Sequence, residues 1–538
     1  MKKNYIEIME KALLAYDNEK ILDYIDSVKK DGLKEHGFPR LVANIGILLT
    51  HKIRLDLIDT FREAMTICCA SIPKISSKDR AGNDFSVREI CHCLMALEKC
   101  DLFSKEEIKR WKDCFYDFDP WKEYGVIAPS PDTPVNNWAA FNAVSDFVRG
   151  KYLGVNNSDF IDWQVSSQML CYDENGMYKD PNNPILYDYM SRVLLASLIP
   201  MGYDGIHLKT IEERLDKASE LSLKMQSVTG EVAFGGRSNQ FIFNEMVLAS
   251  YFELEAVRYK KKGDALMAGK FKHGASMAVK CALKYLDTYP IHHVKNRYPI
   301  ESKMGCEKYA YFDKYMITVA SNAYLAYLFA DDDIEEVITE ENYLIQTSED
   351  FHKVFMSAGG YHLEFDLNAD LHYDASGLGR VHKKGCPSEI CLSTPFSPAP
   401  NYKIEGENPG AASIGSVGFA NMPYVLKDFT VSDVVSAVFE TSDGTVESYK
   451  VSKKGIDAHY SSRKFTLPVF EFDGEKECDI EVLENAITIS YKGAVCKYSF
   501  DGKLSEFKHY YNRNGRYRVY EVDGENLHIE MKGNDDEL

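Results

Sequence analysis

The spacing of apolar residues divides the chain into two parts. From residue 1 to about 330, apolar residues recur every three or four positions, which predicts amphipathic helices. Examples are SVREICHCLMALEKC (86–100), NWAAFNAVSDFVRGKYLG (137–154), ILYDYMSRVLLASLIPMG (185–202) and FIFNEMVLASYFELEAVRYK (241–260). Several of these segments are apolar nearly all round, which suits the inner helices of a double-layered toroid, because such helices are buried on both sides.

After the acidic stretch DDDIEEVITEEN (331–342) the period changes from helical to two. Segments such as YHLEFDLN (361–368), SDVVSAVFETSD (432–443) and RYRVYEVDG (516–524) alternate apolar and polar residues and end near turn signals. Short strands without intervening helices are typical of antiparallel sandwiches. We therefore predict an α+β protein of two domains: an (α/α) toroid over residues 1–340, either incomplete or of six hairpins, and an antiparallel β-sandwich over residues 341–538.

Composition excludes several classes of partner. Lys and Arg number 63 against 82 Asp and Glu, a net charge of −19 that repels phosphate backbones and argues against nucleic-acid binding. No run of eighteen uncharged apolar residues is present, so we predict no membrane partner. The N-terminus lacks a signal-peptide pattern, and the 13 cysteines are scattered irregularly. A cytoplasmic protein with reduced thiols is the expectation.

The first candidate segment is Asn136-Asn137-Trp138, at the start of a predicted helix. An Asn at this point could simply cap the helix. Alternatively, its amide could donate to a sugar carboxylate or hydroxyl, with Trp138 beside it.

The second segment contains Tyr187, Asp188, Tyr189 and Arg192. Asp188 and Arg192 are four residues apart and could form an ordinary ion pair on one helix face. The functional interpretation is a tyrosine near the toroid rim that transfers a proton, with Arg192 lowering its pKa.

The third segment, Gly235-Gly236-Arg237-Ser238-Asn239-Gln240, is the least core-like hexapeptide of the chain. Its glycines permit close backbone approach, and Ser238 or Asn239 could cap the following helix. Arg237, Asn239 and Gln240 together predict an anion-binding or sugar-binding cluster at the helix start.

The fourth segment begins the second domain and contributes His362, His372 and Arg380. A metal site needs three converging ligands, and nothing in the sequence fixes such a set, so we predict no metal.

A toroid, a sandwich, an Asn-Trp helix, a tyrosine about fifty residues later and a histidine at the sandwich edge resemble the heparinase II/III and oligoalginate lyases. The interval from Asn137 to Tyr187 is 50 residues, and that from Tyr187 to His362 is 175, longer than expected for the group. Glucuronidase-type hydrolases share the layout, so the fold alone does not choose the reaction.

The resemblance implies β-elimination at a uronic acid of an oligosaccharide, without a metal or organic cofactor. Asn136 or Asn137, Arg237, Asn239 and Gln240 would neutralise the carboxylate. Tyr187, or else Tyr189, would be the acid and could also be the base, with His362 or His372 as the partner base.

A cytoplasmic location would fit the trimming of imported oligosaccharides, and a homo-oligomer is compatible with the sequence. The alternatives are a glycoside hydrolase, which needs two carboxylates from among Asp132, Asp188, Glu245 and Asp374, and a non-catalytic oligosaccharide-binding protein.

Overall fold

The computed structural model describes residues 1–74, 83–408, 413–418, 421–471 and 478–533. The described helices are α1 (Lys2–Leu13), α2 (Asn18–Asp31), α3 (Gly37–Thr50), α4 (Ile58–Ser71), α5 (Asn83–Leu97), α6 (Lys105–Asp113), α7 (Pro120–Glu123), α8 (Trp138–Leu153), α9 (Ser158–Met169), α10 (Ile185–Met201), α11 (Leu208–Met225), α12 (Phe243–Lys262), α13 (Ala265–Leu286) and α14 (Phe312–Phe329).

The helices form two layers, with α3, α5, α8, α10, α12 and α14 on the inside. Each inner helix packs on the next in this order, and α14 also packs against α3. Helix α3 is buried continuously from Gly37 to Leu49, whereas the outer helix α11 buries one stripe that includes Ile211 and Leu215. This difference in burial explains why the inner segments are apolar on all sides. The predicted (α/α) toroid is confirmed.

The described strands all follow α14. They are β1 (Tyr343–Gln346), β2 (Lys353–Ala358), β3 (Tyr361–Asp366), β4 (Gly377–Lys383), β5 (Gly415–Ser416), β6 (Tyr424–Thr430), β7 (Val435–Thr441), β8 (Val446–Ser452), β9 (Gly455–Tyr460), β10 (Phe465–Phe470), β11 (Cys478–Val482), β12 (Ala486–Tyr491), β13 (Ala494–Phe500), β14 (Lys503–Leu504), β15 (Lys508–Tyr511), β16 (Arg516–Asp523) and β17 (Asn526–Lys532).

These strands build three antiparallel sheets. One has the order β1-β2-β3-β4, the largest has the order β11-β12-β13-β17-β9-β8-β7-β6, and the third has the order β14-β16-β10-β5 with β15 also paired to β16. The predicted antiparallel β-sandwich is therefore confirmed.

The first sheet connects the helical and strand regions. All residues of β2, β3 and β4 are buried. Along β2, Phe355 belongs to the apolar core of the helices, while Val354 and Met356 belong to the core of the sandwich. Because neighbouring residues of a strand point to opposite faces, this sheet packs on the toroid with one face and on the sandwich with the other.

The change from helices to strands falls between Phe329, where α14 ends, and Tyr343, where β1 begins. We keep residues 1–340 and 341–538 as the proposed domain limits. Within the described ranges, no helix is long and apolar enough to cross a membrane.

Candidate functional site

Three loops that precede inner helices meet at one rim of the toroid. Asp180 joins them: its buried carboxylate accepts a hydrogen bond from the Asn137 backbone N–H at 2.9 Å and forms an ion pair with Arg237. The Arg237 guanidinium also donates to the Pro181 carbonyl. The starts of α8, α10 and α12 are thus fixed to one another, and the positive ends of their helix dipoles lie at the same rim.

The glycine loop takes its shape from close backbone contacts. Gly235 and Gly236 have φ angles of 151° and 76°. A Cβ atom on Gly235 would lie 2.7 Å from the Ile185 side chain, and one on Gly236 would lie 2.7 Å from the Pro184 side chain. Only glycine fits this approach to the start of α10. Ser238 also has a positive φ, 58°, a strained conformation for a residue with a side chain.

Tyr187 belongs to a chain of hydroxyl groups in which Ser238 is the middle member. The Tyr187 hydroxyl lies 3.1 Å from Ser238 Oγ, which lies 3.1 Å from the Tyr309 hydroxyl. The Arg237 guanidinium carbon is 4.5 Å from the centre of the Tyr187 ring, a cation–π distance. Tyr187 is partly exposed and Tyr309 is 40% exposed, so this chain of hydroxyls leads from the rim to solvent.

A buried ion pair between the two regions holds Ser238 in place. Glu307 Oε1 accepts a hydrogen bond from the Ser238 backbone N–H at 2.6 Å. The same carboxylate accepts from Arg513, which follows β15, at 2.7 and 3.0 Å. The strain at Ser238 is therefore offset by a charge-assisted contact that requires the strand region to be docked on the toroid.

The electrostatic surroundings of Tyr187 differ from the sequence-based expectation. Burial raises the pKa of Tyr187, and nearby Tyr315 and Glu307 raise it further. Arg192 does not lower it, because its guanidinium binds Asp188 and the hydroxyls of Ser222 and Tyr251, at 2.6 Å and 2.8 Å for the latter two. The prediction that Arg192 tunes Tyr187 is wrong.

Tyr189, Asp188 and Arg192 lie inside the toroid. Tyr189 is 1% exposed, and its hydroxyl donates to the Ser222 carbonyl at 3.1 Å. Asp188 and Arg192 are both fully buried. Since α10 is an inner helix, residues one and two positions beyond Tyr187 turn away from the rim into the packed interior. We leave Tyr189 and Arg192 out of the proposed site.

Asn136 and Trp138 flank the Asp180 contact and are both partly exposed. Asn136 Oδ1 accepts from the Trp138 backbone N–H at 3.2 Å, so its amide closes the entry turn of α8. Asn137 occupies the cap position of α8 without a side-chain capping bond. The Trp138 ring packs edge-on against Phe85 at 5.6 Å between ring centres.

Asn239 and Gln240 are buried within the glycine loop. Asn239 Oδ1 accepts from the Gln240 backbone N–H at 2.8 Å, and Gln240 Oε1 accepts from Asn514 at 3.1 Å. Neither Ser238 nor Asn239 caps α12, whose cap position is Ile242. The loop continues past both residues before α12 begins, so neither reaches the cap position. Asn244, in the first turn of α12, donates to the Ser238 carbonyl at 3.1 Å.

His362 and Arg380 lie on the buried sheet behind the rim. Both are fully buried and contact Glu364, with His362 Nε2 at 3.5 Å and Arg380 in a close ion pair. Arg380 also donates to the Val232 carbonyl at 2.9 Å. Strands β3 and β4 are covered on both faces, so these side chains join the two regions rather than face solvent.

His372 occupies a different position, in an exposed turn at the junction between the toroid and the strand region, which is called the seam below. Its side chain is 58% exposed, and Nδ1 lies 3.0 Å from Asp370 Oδ1. Two residues later, Asp374 Oδ2 accepts from the Gly236 backbone N–H at 2.7 Å, which places this turn against the glycine loop. Burial raises the pKa of Asp374 to about 6.

Several residues of this cluster had no signal of their own in the sequence. Asp180 lies in an ordinary polar loop, and Glu307 meets Arg513 across a separation of 206 residues. Tyr309 is one of 34 tyrosines. Among the described residues, no group of three or more His, Cys, Asp or Glu side chains is arranged to hold a metal ion.

Comparisons with known proteins give the fold. No protein-family profile and no curated protein sequence matches the chain. A chondroitin AC lyase of Streptomyces coelicolor, solved in complex with chondroitin sulphate, superposes with a TM-score of 0.51 and 10% identity over 100% of this chain and 80% of that one. Heparinase III gives 0.37 at 10% identity, over 86% and 79% of the two chains. A GH127 β-arabinofuranosidase gives 0.35 at 10% identity, over 98% and 91%.

Of these three similarities, the one to the chondroitin AC lyase has a TM-score above 0.5. At this identity it shows the fold alone: the chain has the helical toroid and β-sandwich architecture of that lyase. The reaction has to be argued from the residues of the site.

Proposed function

We propose that the protein is a carbohydrate-active lyase that cleaves a uronate-containing oligosaccharide by β-elimination. The observation that carries the proposal is the Tyr187 phenol, which sits at the toroid rim between the Ser238 hydroxyl, at 3.1 Å, and the Arg237 guanidinium, at 4.5 Å from its ring. A half-buried phenol fixed on both sides is suited to transferring a proton in one geometry.

The raised pKa of Tyr187 favours the role of general acid. Burial keeps the phenol protonated, so it can donate to a leaving oxygen. In the elimination, a base removes the C5 proton of the uronate, a C4–C5 double bond forms, and the C4–O4 bond breaks. Tyr187 gives its proton to O4, and Ser238 with Tyr309 connects the resulting phenolate to solvent for reprotonation.

His372 is the best placed of the two histidines to act as the base. Donation from Nδ1 to Asp370 leaves Nε2 as the basic nitrogen, and the side chain is exposed at the seam beside the glycine loop. His362 lacks this exposure because both faces of its sheet are covered.

We assign the neutralisation of the substrate carboxylate to the helix ends and side chains of the toroid rim. The N-terminal ends of α8, α10 and α12 supply positive dipole ends. Arg237, whose charge is offset by Asp180, adds the guanidinium N–H donors that Asp180 and Pro181 do not use, next to Tyr187. The Asn136 amide and the partly exposed Trp138 ring border the same place and would contact hydroxyls and a sugar face. The chondroitin AC lyase of the same fold was solved with chondroitin sulphate, which supports a glycan as the class of substrate.

A glycoside hydrolase is the second candidate, and the pKa of Asp374, raised by burial to about 6, favours it. A carboxylic acid whose pKa is raised toward neutral pH is what a hydrolase needs as its general acid. Asp188 is a poor choice, since it is fully buried in an ion pair with Arg192.

The experiment is a screen of uronate-containing oligosaccharides with two readouts on each reaction. A lyase produces an unsaturated uronate that absorbs in the ultraviolet, and Tyr187→Phe abolishes this signal. Release of reducing ends without ultraviolet absorbance would replace the lyase by the hydrolase. Binding without either signal would leave a carbohydrate-binding protein. A cytoplasmic location and a homo-oligomeric state stay part of the proposal.

A further inference from the structure

A small cavity lies inside the toroid, between α3, α5 and α14 and apart from the candidate site. Its volume is about 20 Å³, and its polar walls are Asn44, Arg88, Glu89, His92 and Ser321. A cavity needs roughly 10–15 Å³ on this measure to hold one water molecule. The cavity therefore has room for one water molecule or one small ion.

Glu89, the one carboxylate among the described cavity-lining residues, is shared by two guanidinium groups: Arg88 of the cavity wall and Arg40 beside it. Arg40 Nε donates to Glu89 Oε1 at 2.9 Å, and Arg88 Nη2 approaches the same oxygen at 3.4 Å. Glu89 Oε2 accepts from the Ser321 hydroxyl at 2.6 Å. Arg40 is 4% exposed and Arg88 5%. One carboxylate thus faces two buried guanidinium groups, which leaves one positive charge without a counter-charge in a region of low dielectric.

Two buried nitrogen atoms at the cavity lack partners. Arg88 Nη1 and His92 Nε2 have no hydrogen-bond partner among the described residues. Burial and the nearby Arg88 lower the pKa of His92 to about 3, so the imidazole adds no charge at neutral pH and can present an N–H at Nε2. Buried donors without partners are rare and call for an explanation.

We propose that this cavity binds one small inorganic monoanion, with chloride as the physiological example. The anion would accept hydrogen bonds from Arg88 Nη1 and His92 Nε2 and would supply the missing negative charge. A water molecule could accept the same bonds, but it would leave the charge of Arg88 uncompensated. A metal cation does not fit the cavity, because it would face N–H donors and the positive charge of a guanidinium group. This inference does not depend on the proposed lyase activity.

The anion has a route from the rim opposite the candidate site. A larger cavity of about 330 Å³ shares His92 and Tyr324 with the small one and is lined by residues near the C-terminal ends of α3 and α5, including Thr50 and Ala96. Side-chain rotation of His92 or Tyr324 would connect the two, so exchange with solvent does not require unfolding of the toroid.

Bromide is the direct probe, because it replaces chloride and scatters anomalously. Crystals of the wild-type protein soaked in sodium bromide should show an anomalous peak beside Arg88 Nη1. A water-sized density at this position without anomalous signal, or no density at all, would overturn the proposal.

Thermal unfolding gives the matching solution measurement. At equal ionic strength, the Tm of the wild type should be higher in sodium chloride than in sodium gluconate, since an anion bound only to the folded state stabilises it. Arg88→Gln should lose this difference. The matched control is Arg149→Gln: Arg149 is equally buried and also has an unpartnered Nη2, but a single Asp146 carboxylate at 2.8 Å balances its charge.

The Arg149→Gln variant should keep the chloride effect. Equal Tm values in the two salts for the wild type, or loss of the difference in both variants, would contradict an anion site at Arg88. If Arg88→Gln fails to fold, the bromide experiment on the wild type decides.

Discussion

The Arg237 guanidinium lies 4.5 Å from the centre of the Tyr187 ring, although 50 residues separate them in the chain. The same guanidinium forms an ion pair with Asp180, which holds the start of α8 through the Asn137 N–H. One arginine therefore organises three rim loops around the tyrosine. Substitutions in this arrangement separate residues that act on a substrate from residues that hold the fold.

Tyr187→Phe should lower the elimination rate by at least about 100-fold, because general acid catalysis contributes roughly that much or more. Substrate affinity should change little, since the phenyl ring keeps its contact with Arg237. The measurement is ultraviolet product formation at saturating substrate together with a binding titration. Tyr189→Phe is the control, because the Tyr189 hydroxyl donates to the Ser222 carbonyl in the interior, away from the rim. Full activity of Tyr187→Phe would contradict the proposed acid.

Arg237→Ala should weaken substrate binding and rate together and should also destabilise the protein. Its removal leaves the buried Asp180 carboxylate without its ion-pair partner, a change that typically costs about 3 kcal/mol. Urea unfolding with a binding titration checks both effects. Asp180→Asn/Arg237→Ala should recover part of the stability but not the binding. If the double variant binds like the wild type, Arg237 does not contact the substrate.

Asp188→Asn should lower stability while leaving the chemical step intact. Asp188 is fully buried against Arg192, and breaking a buried pair typically costs about 3 kcal/mol or more. The rate per folded molecule, measured at low temperature, should stay within a factor of about three of the wild type, since no proton moves through this pair. Arg192→Met is the matched control from the other side of the pair. Loss of turnover in Asp188→Asn alone would favour the hydrolase.

His372→Ala should abolish most turnover without changing stability. His362→Ala should lower stability and leave the turnover of the folded protein unchanged. His372 is 58% exposed and its ring pairs with Asp370 at 3.0 Å, so its removal disturbs little packing. His362 is fully buried on β3, where a truncated side chain leaves a cavity and costs about 1–3 kcal/mol. Activity and thermal unfolding of both variants check the assignment. Unchanged turnover in His372→Ala would remove it as the base.

Asp374 should make the folded state less stable as pH rises from about 4 to about 6. Burial raises its folded pKa to about 6, above the unfolded value of 3.8, so the folded state binds the extra proton in this window. This proton adds its full contribution to the free energy of unfolding below the pKa of the unfolded state. The contribution, up to about 3 kcal/mol, is lost as pH rises through the pKa of the folded state. Asp374→Asn should flatten this part of the stability curve. A curve identical to that of the wild type would contradict the raised pKa.

The sequence by itself determined the two-part architecture. Helical periodicity and all-round apolar character follow from local chemistry and from burial on both sides, and they identified inner helices such as α10 and α12 directly. Alternation with a period of two identified the strands after Tyr343. The sequence also pointed to Tyr187 and Arg237 through the polar, glycine-rich loops around them, since such loops rarely serve a core.

Only the tertiary structure decided which of the candidate residues reach the rim. Tyr187 and Tyr189 look alike in sequence, but helix rotation turns one to the rim and buries the other against Ser222. His362 and His372 are only ten residues apart in the sequence. His362 lies on a sheet covered on both faces, whereas His372 lies in an exposed turn. Ser238 is held by Glu307, which in turn binds Arg513, and the Glu307–Arg513 pair forms only when the strand region docks on the toroid. Such long-range contacts leave no local pattern, because each partner satisfies its charge with a residue far away in the chain.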